Sequence, residues 1–408
     1  MKTYSSPGLK SACFAEGDGE LPVEIRLPEG ANYGMTEETF LFPDNAKSVH
    51  VRLRTDATAG LRGKVGCTAA FFDEEGKVFV EDYLEVLEEN GHLVLDGQWE
   101  REEHFHGFHL RCFFKWTVGA CHFSRPVLTW GGSLPKRMAR IVTTRMWYVP
   151  GEDMAARKER MKRLLDKIGN EVSSPDIILF TEEAPSIGMG IPNSTAWETI
   201  PGPTTEWLAD YARQLNTHIA CGILQNEGGQ YRNACVILDR KGSIAGIYHK
   251  VHLTTCESRN GVVPGETFPV FDLDFDKVSI AICWDNWFCE SARSLRLNGA
   301  EIMLVPIAGD GIVTHRDHVW PARAVEQGMA VAFSVFSNSE DGKGWSCVFD
   351  AMGNMLAKAL AGTDYCFADV DLGKRYRTRF LSIGNGFGEG RTLYVHERRN
   401  GVYADIQR

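Results

Sequence analysis

The chain has 408 residues, of which 43% are hydrophobic and 24% charged, with a formal net charge of −10. This is the balance of a globular protein with room for two domains, and it argues against a nucleic-acid binder, because the Arg- and Lys-containing stretches 101–111 and 136–145 are broken by apolar residues and read as strand faces. Apolar runs such as 329–336 are too short to span a bilayer, the first residues lack an apolar signal-peptide core, and eleven cysteines, an odd number, point to reduced thiols in a cytoplasmic protein.

Residues 1–133 read as all-β. Alternating runs at 48–54, 67–72 and 109–114 are separated by turn signals at 73–76, 89–91 and Asp96-Gly97, which predicts an antiparallel sandwich. His104, His106 and His109 cluster within it. No Cys-x-x-Cys pair accompanies them, so strand packing is the reading rather than a metal site.

The Gly/Pro segment 131–135 is the linker candidate. Beyond it, strands and helices alternate through a second domain expected over 134–385, followed by an extension over 386–408. A strand is predicted over 139–147. A helix then opens at Asp153, with Met154, Met161, Leu165 and Ile168 on one face. The runs 176–181, 278–283 and 301–306 are almost wholly apolar, as strands buried on both faces are. Further helices are predicted over 291–298 and 320–327, stopped by Gly299 and Gly328.

Three reactive side chains stand at the ends of extended segments. Cys283 follows a buried strand and can act as a nucleophile if a neighbour takes its proton; a packed core cysteine is the alternative. Glu182 also follows a buried strand and suits proton transfer, although its neighbour Glu183 carries the same chemistry, and a solvated pair is the plainer alternative. Lys250 sits in the aromatic and β-branched segment 247–253, either facing an oxyanion or snorkelling from an edge strand.

Together these segments resemble the nitrilase superfamily, the carbon–nitrogen hydrolases. The resemblance rests on a strand ending in Glu182, on Tyr248-x-Lys250-x-His252-Leu253, and on a strand ending in Cys283-Trp284-Asp285. Thr181 departs from the family's Pro before the Glu. Glu257-Ser258 with Pro264-Gly265, and further positions at Asn298, Arg323, Asn338, Ser346 and 350–353, extend the likeness over 137–375. The resemblance implies an α/β fold, a four-layer α-β-β-α sandwich often paired into homo-oligomers, preceded here by the all-β sandwich domain. It implies Cys283 as nucleophile, Glu182 as general base, Lys250 and the Trp284 N–H as oxyanion donors, and Glu257 as a supporting carboxylate, for which a surface salt bridge is the alternative. It requires no metal or other cofactor.

The expected substrate is a small linear amide, with a nitrile or an N-carbamoyl compound as the alternative, and acyl transfer to an amine as a third. Trp284, Asn286, Trp287 and His315, the last in a Gly-containing loop over 308–315, are the pocket candidates; core packing competes for Trp287. The β domain bears a weak likeness to the jelly-roll modules of sugar-processing enzymes. It is read as a packing element, with carbohydrate binding as the alternative, and a scaffold with an inactive α/β domain is the rival from outside enzymes.

Overall fold

A computed structural model describes residues 2–5, 13–16, 21–190, 193–309, 315–379, 386–399 and 402–403. The chain divides into one unit of Met1–Pro135 with Arg375–Arg408, and a second of Lys136–Lys374.

The first unit carries seven-, three- and four-stranded sheets among the described residues. Alternation along each strand turns one set of side chains inward. Val49, Val51 and Leu53 of Ser48–Arg54 meet Cys67, Ala69 and Phe71 of Val65–Phe72 and Phe108, Leu110 and Phe114 of Gly107–Lys115 in one buried core. His109 stacks on Phe72 with ring centroids 4.6 Å apart and meets Thr39 at 2.9 Å. Asp96-Gly97 is not a turn. Both residues lie inside the strand His92–Glu100, where Gly97 leaves room for the Trp99 ring, which a Cβ would meet at 2.2 Å. The glycine is thus a packing device within a strand.

The expected boundary at 385 lies instead after Lys374. Arg377–Arg379 pairs with Phe387–Glu389, which adds to Val78–Tyr83 in parallel. Fully buried Asp82 anchors the addition, accepting from the Glu389 N–H and from Trp99 Nε1, both at 3.0 Å, and from Arg377.

The second unit has four layers. Its described strands form one sheet path whose two halves meet at Met138–Trp147, which carries Ile177–Leu179 and Tyr365–Asp371 on its opposite edges along 138–144 and pairs with Ala330–Ser337 through 145–147. Side chains from the two halves, among them Ile177, Leu179, Ile237, Val278, Ile280, Ile302 and Leu304, fill the space between them. Helices Met154–Glu171 and Pro203–Leu215 cover one outer face through Met161, Leu165, Ile168, Trp207 and Leu208. Helices Cys289–Leu297 and Arg316–Gln327 cover the other through Ala292, Leu295, Trp320 and Ala324. The first helix is capped by Asp153, which accepts from the Ala156 N–H at 2.8 Å. Gly328 closes the last in the left-handed conformation. Among the described residues no helix is long and apolar enough to cross a membrane.

Candidate active site

Four strand ends converge in this second unit. Glu182 follows Ile177–Leu179, Lys250 follows Ile244–His249, Cys283 follows Lys277–Ile280, and Ala308 follows Ile302–Ile307. The first two strands belong to one half of the sheet path and the last two to the other. Thr181, standing where the family has Pro, donates its hydroxyl to the Ile307 carbonyl and so ties the two halves directly beside the site.

Glu182 and Lys250 are each 2% exposed. Lys250 Nζ donates to Glu182 Oε1 at 2.8 Å and to the Glu257 oxygens at 3.0 and 2.9 Å. Asn233 Nδ2 donates to Glu182 Oε1 at 2.8 Å and to Glu257 Oε1 at 2.7 Å, so one ammonium and one amide bridge both carboxylates. The Ala308 N–H donates to Glu182 Oε2 at 2.7 Å. Glu257 is held in turn by the Thr254 N–H and hydroxyl, both at 2.8 Å, in the first turn of the helix Thr255–Arg259. Burial works against charge on Lys250, but Glu182, Cys283 and Glu257 outweigh it and hold its pKa above the usual lysine range. Burial likewise pushes Glu257 up, yet Lys250, Asn233 and Thr254 bring it below the ordinary carboxylate value.

The Cys283 thiol interacts with the Glu182 carboxylate and with the backbone at Ala308. Burial raises its pKa well above the ordinary thiol value and Glu182 adds to this, while Lys250 opposes. The resting group is therefore a neutral thiol beside a carboxylate. Its backbone is left-handed, with φ 45°, a conformation that costs a non-glycine residue about 1–2 kcal/mol. Asp285 holds it there. Fully buried, this carboxylate accepts from the Ile282 N–H at 3.0 Å, the Tyr248 hydroxyl at 2.8 Å, the His252 N–H at 2.8 Å and His252 Nδ1 at 2.9 Å. It thereby ties the turn bearing the thiol to the segment bearing Lys250. The Trp284 N–H lies in the first turn of the 3-10 helix Cys283–Trp287, where backbone donors have no partner within the helix.

The pocket candidates divide. Trp284 is 40% exposed beside the thiol. Asn286 is buried, and its side-chain amide finds no partner among the described residues. The Asn286 and Trp287 carbonyls accept from Arg323 at 2.7 and 3.1 Å, which clamps this turn to the helix Arg316–Gln327. His315 is exposed at the start of that helix, and no hydrogen bond joins it to the trio among the described residues. Residues 310–314 of the expected pocket loop lie outside the described residues. Asn233 goes unread in the sequence, Glu183 is weighed only as a rival to Glu182, and Asp285 only as part of the run Cys283-Trp284-Asp285. An Asn in a strand and acidic residues at strand exits have no distinctive spacing, and the one available signal is the alternation of Tyr248, Lys250 and His252, which places all three on one face.

Residues 175–380, half of the chain, match the family model for carbon–nitrogen hydrolase. The chain is 29% identical over 194 residues to omega-amidase NIT2 of Mus musculus, covering 43% of this chain and 70% of that protein. It is 36% identical over 139 residues to N-carbamoylputrescine amidase of Arabidopsis thaliana, covering 32% of this chain and 46% of that one, less than half its length. The fold is similar to a carbon–nitrogen hydrolase from Helicobacter pylori, with TM-score 0.54 and 20% identity over 66% of this chain and 98% of that one. It is also similar to an amidase from Nesterenkonia sp. that carries acrylamide added at its active-site cysteine, with TM-score 0.53 and 19% identity over 66% and 99%. The chain belongs to the carbon–nitrogen hydrolases of the nitrilase superfamily, enzymes of amidase type acting on C–N bonds.

Proposed function

We propose that the second unit hydrolyses a small linear amide through a thioester on Cys283. Glu182 takes the thiol proton as sulfur attacks the carbonyl carbon. Lys250 and the Trp284 N–H receive the negative oxygen of the tetrahedral intermediate, an interaction worth on the order of a hundred- to a thousand-fold in rate per donor. As the C–N bond breaks, Glu182 returns its proton to the leaving nitrogen. Water then attacks the thioester, giving a proton to Glu182. The acid departs, and that proton restores the thiol.

One observation carries the reading: the buried ammonium and carboxylate lie 2.8 Å apart, and the neutral thiol interacts with that same carboxylate. A thiol whose pKa is raised needs a base at the moment of attack, and Glu182 is in place to serve. Glu257 keeps Lys250 charged and oriented. Lys250→Ala would leave Glu182 and Glu257 without their ammonium, and Lys250→Arg would put a planar fork where a compact charge is bonded on several sides.

The test is intact-mass analysis after mixing with a short aliphatic amide. Wild type is expected to gain the mass of the acyl group while Cys283→Ala gains none. An adduct on Cys283→Ala, or none on either protein together with no release of ammonia, refutes the proposal. The similarity to N-carbamoylputrescine amidase favours a carbamoyl substrate as the second reading; release of carbon dioxide with ammonia would select it.

A further inference from the structure

Glu183 follows the proposed base directly, and no step of the reaction uses it. Its φ of 49° turns the side chain away from the strand direction, and the residue remains partly open to solvent. A Glu183 carboxylate oxygen lies within 4.8 Å of carboxylate oxygens of both Glu182 and Glu257. Those two are saturated by Lys250, Asn233, the Ala308 N–H and Thr254. Among the described residues, the Ser186 and Ile187 N–H groups donate to the Glu183 carbonyl, and none donates to its carboxyl group. Three carboxylates therefore share one ammonium, and that ammonium is already bonded to the other two. Burial and Glu182 raise the Glu183 pKa to about 8, with Lys250 opposing, so the carboxylate sits without the donors that would favour its charged form.

An unpartnered carboxylate this close to the reacting centre reads whatever the substrate places there. An N–H donor supplies the missing bond to the carboxyl oxygen, and an apolar group leaves it missing. We infer that Glu183 is a specificity residue that accepts an N–H of the substrate carried one or two atoms from the reacting carbon, so that the enzyme prefers α-ammonium amides or ureido compounds to apolar amides. The inference rests on the reading of Cys283, Glu182 and Lys250 as the reacting centre.

Near-isosteric probes test it on the wild-type enzyme: propionamide as the apolar reference, glycinamide with an ammonium, and N-methylurea with a ureido N–H. Apparent KM, or the inhibition constant against propionamide hydrolysis where turnover is slow, separates binding from intrinsic reactivity. At least one donor probe is expected to bind about tenfold or more tighter than propionamide. Glycinamide ahead of N-methylurea identifies an ammonium as the group read, and the reverse order a ureido group. In Glu183→Gln, checked for folding by thermal melting, the donor-to-propionamide ratio should fall to within about threefold of unity. Cys283-dependent hydrolysis of propionamide with no donor preference overturns the inference and leaves the reaction centre standing. No turnover of any probe, with no acyl adduct on Cys283, overturns the reaction centre as well.

Discussion

Asp285→Asn is the sharpest test of how the site is held, because the consequence can be worked donor by donor. The wild-type carboxylate receives four bonds, two on each oxygen: Oδ2 takes the Ile282 N–H and the Tyr248 hydroxyl, and Oδ1 takes the His252 N–H and His252 Nδ1. An asparagine keeps one oxygen and turns an NH2 toward the other pair. Tyr248 oxygen or His252 Nδ1 can change from donor to acceptor, but neither backbone N–H can. Whichever way the amide is turned, one buried backbone N–H therefore faces another donor and loses its partner. A buried orphan costs about 1–3 kcal/mol, and the bonds that remain lose their charge assistance, so we expect a loss of about 2–4 kcal/mol. If the amide keeps its oxygen toward His252, the orphan is Ile282 N, adjacent to the strained Cys283, and kcat should fall with stability. Urea unfolding followed by tryptophan fluorescence measures the first effect, and amide hydrolysis under native conditions measures the second. A midpoint shift equivalent to less than about 0.5 kcal/mol would refute the account, since a change that small is typical of a surface substitution.

Three further outcomes follow from the same contacts. Gly222→Ala would place a Cβ 2.6 Å from Glu182 Cα, 2.6 Å from Thr181 O and 2.7 Å from Glu183 N, all of them backbone atoms; destabilisation of about 1–3 kcal/mol and loss of hydrolysis should appear together in a melt and a rate assay. The folded Glu183 carboxyl, with its pKa raised from 4.5 to about 8 among Glu182, Lys250 and Glu257, holds a proton that the unfolded chain releases, so its contribution to stability declines as pH rises from about 4.5 to 8 and is level above; urea midpoints at about pH 5 and about pH 9 should show that decline in wild type and a shallower one in Glu183→Gln. Removing residues 375–408 would strip the Arg377 and Glu389 N–H partners from fully buried Asp82; hydrogen exchange in Val78–Tyr83 should accelerate, and unchanged protection there would argue against a joint unit.

Glu182, Lys250 and Cys283 were legible because each ends an apolar or alternating run, where the strand pattern stops and a reactive side chain has no packing role to explain it. The helix from Asp153 was legible through its cap and its 3.6-residue stripe, and the layer order followed from strands apolar on both faces. What stayed hidden was long-range. Asp285 reads as the acid after the Cys283-Trp284 pair, but its anchoring role appears only when Tyr248 and His252, more than thirty residues earlier, are brought against it. Asn233 is one polar residue near the start of the strand Gln230–Leu238, and its role as a bridge depends on two carboxylates from other segments. The strand Phe387–Glu389 joins a sheet whose partner lies some 300 residues away, which no local period encodes. Asp96-Gly97 misled for the opposite reason. Its turn chemistry is real in isolation and is overridden by the Trp99 ring that needs the missing Cβ.

The manner of assembly also says where the site is fragile. The Glu182 carboxylate and the Lys250 ammonium come from one half of the sheet path, and the Cys283 thiol and the Ala308 N–H come from the other. Five links cross between the halves at the site: the Thr181 hydroxyl to Ile307 O, the Ala308 N–H to Glu182, and the Tyr248 hydroxyl, the His252 N–H and His252 Nδ1 to Asp285. The first and the Tyr248 link are buried and the rest half-buried, so they are costly to break and exacting in geometry. A shift of the two halves by one ångström would strain these links together and separate the thiol from the proposed base, enough to cost on the order of a hundred-fold in rate. The apolar layer between the halves, with Ile177, Leu179, Ile280 and Leu304 fully buried, resists that shift, because repacking it would open cavities. On the proposed mechanism, alignment is thus a property of the core between the sheets as much as of the trio, and substitutions of Leu179 or Leu304 by alanine should lower kcat as well as stability although both side chains are buried in that core.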